Sequence, residues 1–203
     1  MSVGRRAKFS DETILEAALG VLVEGGVGAA TVTGVADRLG APSGSIYHRF
    51  ASRDLLMARL WVRTVLRFQR GFVDALDTGD TERAAREAML HTVRWSREHP
   101  ADALVLLGYR REDLVARWPE ELGQQLVNLN QPVRDALAGF VRVRYTASTP
   151  ELVARVRFAL VDIPYAAVRM HLTRGSVPAA ADEELVLVAG AAILAHLDDQ
   201  GTS

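Results

Sequence analysis

Apolar residues recur at helical spacing along nearly the whole chain. Ile14, Leu15, Ala18 and Leu22 fall on one face of a first helix, the three-and-four recurrence of a buried helical stripe. Ser10, followed by Asp11 and Glu12, supplies its cap and first-turn acids, and Gly25-Gly26 supplies its stop. Thr31 caps a short second helix over 32–39, ended by Gly40, and a third starts at Pro42 or Ser43 and ends at Phe50. Ser52 opens a fourth, carried to about Leu76 by Leu55, Leu56, Leu60, Val65, Phe68 and Phe72.

Thr78-Gly79-Asp80 is the clearest break. Beyond it the pattern predicts helices over 81–98, 101–115, 119–143, 150–173 and 182–198, with Thr149 and Pro150 as cap and first-turn proline. Pro132 and Pro164 fall inside two of these. Each removes a backbone donor and is expected to kink or split its helix. No period-two run bounded by hairpin turns is present, so the fold class is all-α, with about nine helices.

Residues 185–195 (Leu-Val-Leu-Val-Ala-Gly-Ala-Ala-Ile-Leu-Ala) have no polar face. A helix apolar all round must be covered on all sides. At 11 residues it is too short to cross a bilayer. A second copy of the chain is the economical cover, with 150–173 as the partner helix and Gly190, Ala191 and Ala192 allowing close approach. A homodimer built on 150–173 and 182–198 is therefore expected.

Charge changes the picture more than composition does. The net charge of −1 is unevenly spread. Residues 1–70 hold ten Lys/Arg against six Asp/Glu, a net of +4, while the rest of the chain holds 14 against 19, a net of −5. A basic head on an acidic body suits a nucleic-acid module joined to a module of another kind. The absence of cysteine removes disulfides, thiolate zinc sites and cysteine nucleophiles. Arg5, Arg6 and Lys8 stand where a secretory signal would have an apolar core, so a cytoplasmic protein without a membrane anchor is expected.

The informative stretch is 31–50, TVTGVADRLGAPSGSIYHRF. Val35, Ala36, Leu39 and Ile46 form a small seam between two short helices, Ala36 permits close packing, and Gly40 makes the sharp turn. Ser43, Gly44, Ser45, Tyr47, His48 and Arg49 are left facing outward. Small hydroxyls, an aromatic hydroxyl, an imidazole and a cation suit a major groove, where they reach phosphates and base edges.

Leu15-Glu-Ala-Ala18, Val35-Ala36, Leu39-Gly40, Gly44-Ser-Ile-Tyr47, Phe50 and Arg53-Asp-Leu-Leu56 together resemble the N-terminal signature of the TetR family of bacterial transcriptional regulators. The resemblance covers about a third of the chain. It implies a helix-turn-helix DNA-binding domain over 8–68, with its recognition motif at 31–50, and a ligand-binding and dimerisation domain over 69–203. It further implies that Thr31 and Thr33 face the phosphate backbone and that Ser43, Gly44 and Ser45 open the recognition helix. Tyr47 would bond a phosphate, His48 a base edge or phosphate, and Arg53 the next phosphate, with Lys8 in a basic arm. Pro42 departs from the family pattern, which often has a capping serine or threonine there; Ala41 or Ser43 is then expected to cap.

The resemblance implies a homodimeric repressor on palindromic double-stranded operator DNA, released by a small, mostly apolar effector of unknown identity. Candidate effector contacts are Trp95, Tyr109, Asn128, Asp162 and Tyr165, polar or aromatic residues in apolar helical contexts. A regulator that needs no ligand remains the alternative. His91 and His99 are eight apart, which is not a chelating pair, so no metal or cofactor is expected. No catalytic triad, paired-carboxylate motif or phosphate-binding glycine loop supports an all-α enzyme.

Overall fold

The computed structural model describes residues 9–108, 119–145 and 148–201. Among these the chain is all-α, as the pattern predicts, with no strand. The head is α1 (Asp11–Ala29), α2 (Val32–Leu39) and α3 (Ser43–Tyr47). The long α4 (Arg53–Leu76) runs from head into body, which continues with α5 (Thr81–Glu98), α6 (Pro100–Gly108), α7 (Pro119–Asn128) and α8 (Gln131–Tyr145). Next come α9 (Pro150–Arg157), a π-helical turn (Phe158–Asp162), α10 (Ile163–Leu172) and α11 (Ala180–Gly201).

Local chemistry sets most of the boundaries. Ser10, Thr31, Ser52, Asp80 and Thr149 each accept a first-turn backbone N–H through the side chain, satisfying donors that have no helical partner. The expected stop at Gly25-Gly26 is a break inside α1, where Gly26 has φ 74° and ψ −178° and the chain then resumes helical bonding to Ala29. Gly40 ends α2 in the left-handed region (φ 57°, ψ 37°), its N–H bonding back to Asp37.

The two interior prolines act differently. The predicted helix over 119–143 is two helices, broken at Leu129-Asn130, with Pro132 in the first turn of α8, where its missing N–H costs nothing. Pro164 produces the π turn: the Ile163 N–H reaches back five residues to Phe158, and the path stays helical without the proline's donor.

Buried apolar residues form two clusters. One joins α1 to α3 and the first half of α4 (Ile14, Ala18, Val35, Ile46, Phe50, Leu60), and it also takes Val105, Leu122, Leu126 and Leu129 from α6, α7 and the turn after it. The other fills the body around Phe72, Ala88, Val93, Phe140, Leu160 and Leu194. α4 is common to both and packs against α1, α5, α6 and α8. Arg144 of α8, nearly buried, bonds Asp198 of α11 (2.7 Å) and Glu82 of α5 (2.8 Å), tying three body helices together.

The apolar run 185–195 is half covered. Val186, Gly190, Leu194 and Leu197 face the body, and Gly190 lies so close to Met89 and the Ala159 carbonyl that its role is packing within the chain. The opposite face is bare: Leu185 is 69% and Val188 65% exposed, and Phe158 and Met170 on the neighbouring helices are exposed too. No described helix is long and apolar enough to cross a membrane.

Candidate nucleic-acid interface

α2 and α3 meet through a turn held by backbone bonds. The N–H groups of Gly40 and Ala41 bond the carbonyls of Asp37 and Ala36, and Val35, Ala36 and Ile46 are buried in the seam, with Leu39 part-buried beside it. Burying Ile46 and Phe50 contributes about 2–3 kcal/mol each, enough to hold a five-residue helix that would not form alone.

With those two side chains inward, the rest of α3 points to solvent. Ser43, Gly44 and Ser45 are exposed, Tyr47 is 50% exposed and His48, just past the helix, is exposed as well. A Cβ at Gly44 would meet nothing within 4 Å, so the helix face is open to close approach. Thr31 and Thr33 flank it, exposed at the start of α2. The seven residues lie on or immediately beside two adjoining short helices, and those on α3 form one exposed strip along it.

Three of the expected DNA contacts already have partners within the chain, Thr31 through the cap expected of it. Thr31 Oγ1 accepts the Gly34 N–H at 3.0 Å, and Ser45 Oγ donates to the Pro42 carbonyl at 2.6 Å. Arg53 Nε donates to the Ala30 carbonyl at 2.9 Å, joining the α1–α2 turn to the start of α4. Pro42 itself is the N-cap of α3, with no side-chain bond, in place of the expected Ala41 or Ser43. Its fixed φ of −61° sets the approach to the helix, and the Ser45 hydroxyl takes up its carbonyl. Arg49 pairs with Asp11 of α1. Lys8, with Arg5 and Arg6, lies outside the described residues.

Residues 14–60 match the model of the tetR family of bacterial regulatory proteins. The head is a TetR-family DNA-binding domain. Solved structures of similar fold include a transcriptional regulator from Rhodococcus sp. Rha1 (TM-score 0.67, 20% identity, covering 93% of this chain and 97% of that one). Others are the fatty acid degradation regulator FadR from Bacillus halodurans (0.66, 14%, 94% and 97%) and the ketosteroid transcriptional regulator KstR2 of Mycobacterium tuberculosis (0.61, 21%, 96% and 96%). No curated protein matches the sequence. The TetR head thus sits on a body whose helical fold is similar to that of these solved structures at low identity.

Behind the TetR head, the body encloses a cavity of about 570 Å³ between α4, α5, α6, α8 and the α9–α10 segment. Its walls are mostly apolar and aromatic, and Phe68, edge-on to Trp95 at 5.2 Å, anchors one side. Among the expected effector contacts, Trp95 and Tyr165 line it. Asn128 does not: it is exposed at the end of α7, and Asn130 lines the cavity instead, because the helix breaks between them. Asp162 is paired with Arg157 at 3.0 Å and stands outside the lining. Tyr109 lies outside the described residues.

Two buried lining residues carry unmatched polar atoms. Among the described residues Trp61 Nε1 has no partner, and Gln69 donates to Asn130 (2.8 Å) while its Oε1 has none. Each such group costs about 1–3 kcal/mol unless a bound molecule completes it. Gln69 was legible in the sequence: it falls eight residues after Trp61 and four after Val65, on the apolar stripe of α4. Arg134 and Arg157 at the rim carried no such signal, because both read as solvated helix surface. His91 donates through Nε2 to the Phe68 carbonyl (2.8 Å) beneath the wall, and its pKa is lowered, chiefly by burial, against the raising effect of that bond. No group of potential metal ligands occurs among the described residues.

Proposed function

We propose that this chain is a homodimeric repressor that grips a palindromic operator with two copies of α3 and lets go when a small, mostly apolar effector fills the body cavity. The observation that carries the DNA half is the exposed strip of Ser43, Gly44, Ser45, Tyr47 and His48 over a seam that buries Ile46 and Phe50. Gly44 allows the backbone close to the groove floor, Tyr47 and Thr33 reach phosphates, and His48 reaches a base edge or phosphate. Thr31 keeps its cap and adds a backbone contact, and Arg53, bonded to Ala30 and 3.6 Å from Asp54, would exchange part of that pairing for the next phosphate.

The bare apolar face of α11, with Leu185 and Val188 at its centre and Phe158 beside it, supports a dimer. Two copies would cover both faces in a four-helix interface. A two-fold then sets the recognition helices one DNA turn apart, roughly 34 Å, and makes the operator palindromic. The cavity supports an effector, since its volume is in the usual range for small-molecule sites, whereas a body built only to dimerise needs none.

Selection of bound sequences from a random DNA pool tests the reading. A palindrome with half-sites about one turn apart is the expected product; an asymmetric site, or none, overturns the dimeric operator.

A further inference from the structure

We infer that the molecule taken up by the cavity is an anionic amphiphile, an apolar body carrying a carboxylate or phosphate that is read by Arg134 and Arg157. This rests on the cavity being the effector site. Two observations bear on it. The first is the charge of the lining: among the described residues Arg134 and Arg157 contribute to it, and no Asp, Glu or His does. Arg157 already has Asp162 at 3.0 Å, but Arg134 bonds only the neutral Gln131 side chain (2.6 Å) and has no carboxylate partner among the described residues. Both guanidiniums are exposed at the rim while the walls behind them are apolar. A molecule with its apolar part against Phe68, Trp95 and Leu137 would therefore place its head group at a planar, bidentate donor.

The second is the pair of unmatched polar atoms on the buried wall, Trp61 Nε1 and Gln69 Oε1, each on a residue only 7% exposed. Neither atom is open to water, so an occupant's polar atoms would meet them only after a small shift of the wall. At the ~30 Å³ that a water molecule takes in the liquid, about 570 Å³ admits roughly 20 non-hydrogen atoms. A medium-length chain or a few fused rings with one acidic group fits that limit.

Trp61 and Trp95 both line the cavity, so tryptophan fluorescence of the full chain reports on its occupancy. The probes are tetradecanoate, tetradecyl phosphate, tetradecanol and tetradecylamine, titrated below their aggregation limits, with release of the selected operator followed in parallel. Expected are saturable quenching by the two anions and binding about tenfold or more tighter than the alcohol or amine. Arg134→Gln should remove that advantage while the melting temperature stays put, and Arg157→Gln should reduce it. Whichever anion is favoured identifies the head group. Equal binding of alcohol and anion, or an Arg134→Gln protein with undiminished anion affinity, overturns the assignment and leaves the effector reading standing. Quenching by none of the four, from a protein that still binds DNA, overturns the anion and counts against the effector site together.

Discussion

Arg63 of α4 and Asp102 of α6 face each other in the interior between head and body, 4.0 Å apart, with side chains only 9% and 7% exposed. The same guanidinium reaches Glu12 (2.9 Å) and Glu16 (3.0 Å) on α1, and the same carboxylate takes Arg67 (3.5 Å) and Thr64 (3.3 Å). One polar cluster thus links the first helix of the TetR head, the shared α4 and a helix that lines the cavity.

Replacing Asp102 with Asn would leave Arg63 and Arg67 without the charge that balances them on the buried side. A loss of about 2–3 kcal/mol is expected, less than for a fully enclosed pair because Arg63 keeps its two glutamates. Urea unfolding measures it. If the cluster carries the signal from cavity to head, the variant should also bind operator normally but release it poorly when the cavity is filled. Normal release would assign the coupling to the apolar contacts of α4 alone.

Tyr47 and Arg53 separate recognition from scaffold. Tyr47→Ala removes an exposed side chain, so operator affinity should fall by about tenfold with no change in melting temperature. Arg53→Ala should weaken DNA binding and also cost about 1–2 kcal/mol of stability, since its bond to the Ala30 carbonyl braces the α1–α2 turn against α4. Gel shift and thermal melting on both variants distinguish the two roles.

A charge on the bare face of α11 tests the dimer. Val188→Asp or Leu185→Asp adds a carboxylate to a site already exposed in a single chain. Each should keep the helical signal and halve the mass measured by light scattering, with loss of tight operator binding. A mass that does not change places the interface elsewhere.

His91 predicts a pH effect. Burial holds its folded pKa below the ordinary 6.5, while the unfolded chain titrates near that value. Its contribution is therefore fully present above 6.5 and is lost as pH falls from there through the lower folded value, because the unfolded state binds the proton first. Melting temperature should drop between pH 7.5 and 5.5 by more in the wild type than in His91→Gln, whose amide still donates to the Phe68 carbonyl. Equal drops would assign the acid sensitivity to other groups.

The parts readable from the chain alone are those decided within about twenty residues. Caps at Ser10, Thr31 and Ser52, the left-handed turn at Gly40, and the inward Ile46 and Phe50 all follow from local hydrogen bonding and helical periodicity, and the exposed strip of α3 follows from them. Asn128 marks where that reasoning stopped. With 119–143 expected to be one helix, Asn128 reads as the polar residue in an apolar context, but the break at Leu129-Asn130 leaves it exposed and turns Asn130 toward Gln69.

Long-range packing decided the rest. Val105, Leu122 and Leu126 complete the head's own core from far beyond its last helix, which ends at Tyr47. Asp102 finds Arg63, and the cavity opens where five separate segments fail to fill the space between them. Helical pattern states which face of each helix is apolar, but not which other face meets it. That choice is made by side-chain volumes and charges meeting across the whole chain. The sequence therefore determined a TetR-like head with an exposed strip along α3, and the tertiary structure determined which body helices that head packs against.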